Sequence, residues 1–223
     1  GNAYQQIYVS TNGFITFDPT SPPSSTTNIF DNEVWPDAEK PNNVIAPFWD
    51  DLIGNRKDAT NNLKSAIYYE VRGSAPEREL VIQWSKFGFY QITYAEINFQ
   101  VVLFEDGHIE FNYGQLTKDQ NFANRSEGAQ ATIGLENIDG SIFTAWSNDG
   151  MYIDSQGVQT RVIQEFSSLS FHTPILPANG TLFVNPDHTT TYTLIAMNAN
   201  GGSDISMLEI QVIPNNALVI NEF

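Results

Sequence analysis

The chain has 223 residues, with 10 Lys and Arg against 26 Asp and Glu for a formal net charge of −16, and it contains no cysteine. That charge repels phosphate backbones and anionic lipid, which argues against nucleic acid and membrane surfaces as partners. The missing cysteine excludes thiol catalysis, Cys-based zinc sites and disulfide staples, and without a run of about 18 apolar residues no membrane insertion by a helix is expected.

Gly1-Asn2-Ala3 carries neither a charged start nor an apolar signal core, so any export signal is expected to have been removed or to lie outside this segment. The first elements are two short strands, Ile7 to Ser10 and Phe14 to Phe17, with Thr11-Asn12-Gly13 between them as a tight turn. Asp18 to Asn43 holds Pro19, Pro22, Pro23, Pro36 and Pro41 with little apolar periodicity and reads as a surface loop, as does Gly54 to Lys64.

The clearest pattern runs from Glu79 to Tyr113. Leu80, Ile82 and Trp84, then Ile97, Phe99, Val101 and Leu103, then Ile109, Phe111 and Tyr113 alternate with polar residues, so three strands share one buried face. Between the last two, Glu105-Asp106-Gly107-His108 supplies the Asp-Gly pair of a hairpin with positive φ at its centre. Further strands are expected at Ala131 to Leu135, Ile142 to Trp146 and Val158 to Phe166, set apart by Asn137-Ile138-Asp139-Gly140 and Asn148-Asp149-Gly150. Turns at this spacing belong to a sandwich.

Near Ser167 to Pro177 the pattern changes to a Thr- and Asn-rich β segment, with strands at Thr181 to Val184, Thr190 to Asn198 and Asp204 to Ile213 and a final strand from Ala217 to Phe223. Some fifty residues of this kind bury too little to stand alone, so the segment must pack on the first domain or be completed from elsewhere.

Five phrases in order, Ile7 to Phe17, Val44 to Leu52, Ile67 to Gly73 with Arg78 to Trp84, Asn98 to Gly114 and Ala131 to Asn137, resemble the nidogen-extracellular-like (NIDO-like) modules of large secreted and cell-surface proteins. Asn179 to Leu194 with Asn198 to Ser203 and Ile210 to Pro214 looks like the closing half of a bacterial immunoglobulin-like repeat, and Leu218 to Phe223 resembles the opening strand of lamin-tail-like domains. The resulting expectation is an all-β antiparallel β-sandwich over residues 1–171, a partial immunoglobulin-like β segment over 172–215 and a terminal strand over 216–223. The resemblance implies an extracellular scaffold or contact role. Its relatives carry an aromatic strand before the position of Gly1, so the sheet is expected to begin with an unpaired edge.

Candidate chemistry is sparse. Asp50 and Asp51 are candidate Ca²⁺ ligands, the alternative being a carboxylate bonded to backbone amides at a strand end. Trp35, in the Pro-rich loop beside Asp37, is the aromatic residue placed to stack on a sugar, and Tyr68, Tyr69, Tyr90 and Tyr94 could join it if exposed on one face. Ala217, Leu218, Val219, Ile220 and Phe223 form a candidate assembly strand. No catalytic residues and no cofactor are assigned beyond that possible Ca²⁺. The expected partners are other protein chains, copies of itself included, or surface glycans. Adhesive or structural function leads, with filament assembly by strand exchange as its sharper form and a carbohydrate-binding accessory domain of a secreted hydrolase as the alternative.

Overall fold

The computed structural model describes residues 4–20, 31–117, 125–149, 163–171, 190–197, 203–213 and 217–220, the last three as strand backbone. In chain order the strands are β1 (Tyr8–Val9), β2 (Ile15–Thr16), β3 (Val44–Trp49), β4 (Leu52–Ile53), β5 (Ala66–Arg72), β6 (Glu79–Phe89), β7 (Ile92–Phe104), β8 (Ile109–Leu116), β9 (Thr132–Glu136), β10 (Phe143–Ser147), β11 (Ser168–Phe171), β12 (Thr190–Met197), β13 (Ser203–Ile213) and β14 (Ala217–Ile220). A single short 3₁₀ turn, Arg125–Glu127, is the one helical element among the described residues.

One sheet runs β1-β2-β3-β9-β10 and a second runs β11-β8-β7-β6, with β4 and β5 both on the far side of β6. All their pairings are antiparallel. The fold is the expected all-β sandwich. Register turns the sequence alternation into rows across the second sheet: Ile67, Trp84, Phe99 and Tyr113 stand side by side, as do Tyr69, Ile82, Val101, Phe111 and Leu169, and Val71, Leu80, Leu103, Ile109 and Phe171. Their middle members fill the main core, where Trp84 stacks on Phe99 with centroids 5.0 Å apart. Two hydrogen bonds tie the sheets together: the Trp84 indole N–H donates to the Ser10 carbonyl and the Tyr113 hydroxyl to the Pro47 carbonyl, each at 2.8 Å.

At its centre the first sheet is buried on both faces. All six residues of β3 are buried, as an unbroken apolar run requires. Ile45 and Phe48 face the main core, whereas Val44, Ala46 and Trp49 face a second cluster with Phe14, Trp35 and Ala145. The alternation changes phase at Pro47, where pairing with β9 is interrupted between Ala46 and Trp49. Proline lacks a ladder donor, and a bulge is where a strand tolerates it.

The first hairpin closes on Gly13, at φ 84°, and a Cβ there would come within 1.9 Å of the Phe48 carbonyl oxygen. Only glycine lets the turn approach β3 so closely that the Phe48 N–H bonds the Gly13 carbonyl at 3.1 Å. The expected Asp106-Gly107 hairpin joins β7 to β8, with positive φ at Gly107, 95°. A departure lies before β11. Ile163 to Phe166 is irregular, with Phe166 at φ 58°, and the sheet edge expected from Val158 to Phe166 is supplied by Ser168–Phe171. Residues 158–162 of that expected strand lie outside the described residues.

A separate antiparallel sheet, β12-β13-β14, carries the C-terminal region. Its strands match two of the expected ones closely, while Thr181 to Val184 and Asn221 to Phe223 lie outside the described residues.

Candidate functional site

The Pro-rich loop does not present Trp35 to solvent. Trp35 is 1% exposed, and its ring lies 6.4 Å from those of Trp49 and Phe143 on the outer face of the first sheet. The segment is stitched down by polar contacts. The Trp35 N–H donates to the Asn148 side-chain carbonyl at 2.9 Å, and the Asn148 amide returns a bond to the Trp35 carbonyl at 2.8 Å. Thr132 donates its hydroxyl to the Glu33 carbonyl at 2.6 Å, and Asn32 donates to the Gln130 carbonyl at 2.8 Å. Trp35 is therefore a plug, and the expectation of an exposed stacking platform is corrected. A loop laid flat over an apolar sheet face has to bury its largest side chain. Asp37 is half-buried, with its carboxylate accepting the Glu39 N–H at 2.8 Å and its carbonyl close against Gly140, where a Cβ would come within 1.8 Å.

Asp50, just past β3, is 2% exposed. Arg125 Nη2 donates to its Oδ1 at 2.6 Å and Nε to its Oδ2 at 3.0 Å, and Oδ1 also accepts the Asp51 N–H at 2.7 Å. The guanidinium carbon sits 5.1 Å above the Phe89 ring. Both carboxylate oxygens are thus occupied by a cation from the 3₁₀ turn Arg125–Glu127, a partner neither sequence reading included. Asp51 is partly exposed, and burial raises its carboxyl above the ordinary value, with Arg125 pulling it down and Asp50 and Asp31 pushing it up. Among the described residues no group of three or more His, Asp or Glu side chains is placed to hold a metal ion.

A second acidic pair escaped the sequence reading. Glu33 and Glu136 flank the Trp35 plug, and each is pushed up to about 8, first by burial and then by neighbouring carboxylates, Asp37 for both. Glu33 Oε2, Glu136 Oε1 and Trp35 Nε1 are buried without a hydrogen-bond partner. Burial therefore favours the protonated form of both acids. Nothing in their alternation marks them in the sequence.

The exposed apolar side chains gather elsewhere. On β5, Tyr68 is 60% exposed, Tyr69 80% and Val71 63%. Tyr68 and Tyr69 are consecutive strand residues, so they project from opposite faces and form no common stacking platform. Tyr69 and Val71 stand on the core side, in the rows of Ile82 and Leu80, where the first sheet does not cover them. An open groove of about 240 Å³ continues this surface between Val71, Leu80, Leu103 and Phe104, rimmed by Arg78 and Glu105. Those two form a two-pronged ion pair at 2.6 and 2.8 Å. Pairing with Arg78 holds the Glu105 carboxyl down at about 2.

The candidate assembly strand begins as β14, paired antiparallel with β13 from Ile210 opposite Ile220 to Ile213 opposite Ala217. It lies at the edge of its sheet, with no strand on its other side among the described residues.

Comparison with protein families matches residues 1–184 to the family described as NIDO related. The chain belongs to that family. Membership bears out the resemblance carried by the five phrases and is compatible with a non-catalytic extracellular module. NIDO-like proteins are typically extracellular, and no helix among the described residues is long and apolar enough to cross a membrane. No curated protein and no solved structure matches this NIDO-related chain.

Proposed function

We propose that the chain is a non-catalytic structural or adhesive module of an extracellular or cell-surface bacterial protein, working by contact with other protein chains, copies of itself included. One contrast carries this reading. The polar groups best suited to chemistry are turned inward, with Asp50 clamped by Arg125 and carboxyl oxygens of Glu33 and Glu136 buried, while exposed apolar side chains line an open strand. Family membership supports the same reading. Turnover in broad hydrolase assays near neutral pH would count against it.

The sharper form is a filament subunit in which Ala217 to Phe223 adds to an open sheet edge of a neighbour, as extended segments do in β-strand addition. The edge position of β14 supports it. Electron microscopy tests it directly: filaments from the full chain that disappear when residues 217–223 are deleted are the expected result, and dispersed particles unchanged by the deletion would remove the filament reading.

A further inference from the structure

β5 is paired on one side only. Its seven residues match β6 from Ala66 opposite Ser85 to Arg72 opposite Glu79 without a break in register, and no strand among the described residues pairs with its other side. Protein edges of this length are commonly blunted by proline, lysine or a bulge. Ala66–Arg72 has no proline, no lysine and no register shift. It carries instead Tyr69 and Val71, largely exposed on the core-side face.

We propose that β5 is a self-association edge, at which two copies of this chain pair antiparallel about a two-fold axis through Tyr69. The sequence of the strand favours a second copy over a foreign partner. With the axis at Tyr69, that residue opposes itself, and Ile67 opposes Val71 on the same face, so the apolar row of one sheet continues into the other. On the opposite face Tyr68 opposes Glu70 and Ala66 opposes Arg72, and no like charges meet. Glu70 and Arg72, whose side chains already pair at 2.8 Å, leave the strand neutral within a chain of net charge −16. Two equally acidic copies can approach here without local repulsion, whereas a basic partner would find little to attract it. The joined edges restore hydrogen bonds to the outward N–H and C=O groups of both strands.

A contact limited to one strand edge lies at the small end of interface sizes, so a weak dimer that forms only as concentration rises is expected. Sedimentation equilibrium on the full chain tests it through Tyr69→Lys and Tyr69→Glu. Each places a like charge opposite itself across the axis and should weaken the dimer about fivefold. Since Tyr69 is mostly exposed, circular dichroism and Tm should stay those of the parent. An equimolar mixture of the two variants, with Lys facing Glu, should restore the dimer. The proposal is overturned by a parent chain that stays monomeric to about 1 mM, by a dimer indifferent to Tyr69→Lys, or by a mixture that remains monomeric. It deepens the contact reading and rests on it. Because these substitutions leave residues 217–223 intact, loss of the dimer and loss of filaments are read separately.

Discussion

Arg125 grips Asp50 with two nitrogens, at 2.6 and 3.0 Å, and so joins the 3₁₀ turn to the end of β3. Asp50 is nearly wholly buried while the Arg125 side chain keeps 20% exposure. Removing one partner leaves the other charge without its counterion in a poorly solvated place. Asp50→Ala should cost about 3 kcal/mol, discounted from the fully buried range because water still reaches the guanidinium. Asp50→Asn should cost less, since one oxygen still accepts a bond. Urea denaturation checks both, and a midpoint unchanged in Asp50→Ala would mean that the clamp contributes nothing.

Trp35 predicts an effect on stability where its place in the sequence suggested one on binding. Truncating a fully buried indole in a small cluster opens a large cavity, and Trp35→Ala should cost about 3 to 5 kcal/mol, with Trp35→Phe well below that. Chemical denaturation followed by far-ultraviolet circular dichroism gives the comparison. A Trp35→Ala chain as stable as the parent would place the indole in solvent.

The pH profile follows from Glu33 and Glu136. Ordinary glutamates ionise near 4.5, whereas these two are raised to about 8 in the folded chain. Between those values the folded state holds more protons than the unfolded one, so stability falls as pH rises across the window, and the loss is complete above about 8. The double variant Glu33→Gln, Glu136→Gln, which cannot ionise, should flatten the decline of Tm between pH 5 and about pH 9. An unchanged slope would show that these carboxyls are ionised in the folded chain.

Tyr113 offers a narrower test. Tyr113→Phe keeps the buried ring but strips the Pro47 carbonyl of its hydroxyl donor, at a cost of about 1 to 2 kcal/mol with an unaltered denaturant slope. A cost near zero would mean that β3 finds another donor for that carbonyl.

The part of this fold visible in the sequence is the part with a period. Leu80, Ile82 and Trp84 against Val101, Phe99 and Leu103 alternate because one face of their sheet meets the core, and the register rows reproduce that face. Trp35 was illegible for the converse reason. Residues 31–43 have no repeating backbone geometry, so their burial depends on lying over Val44, Ala46 and Trp49, which composition cannot announce. The phase change at Pro47 was also hidden, since the run Val44 to Trp49 is apolar throughout. Asp50 stood out as an acid, yet its partner Arg125 is 75 residues away and nothing local links them. Tyr69 and Val71 were the hardest to see: they carry the alternation of core residues and stand in the rows of Ile82 and Leu80, yet both are exposed.

Hydrogen exchange, followed on dilute and on concentrated protein, tests most directly whether this chain acts by contact. The account predicts that amides of Ala66–Arg72 exchange more slowly as concentration rises while those of buried β3 stay unchanged. Exchange independent of concentration throughout the chain would contradict it.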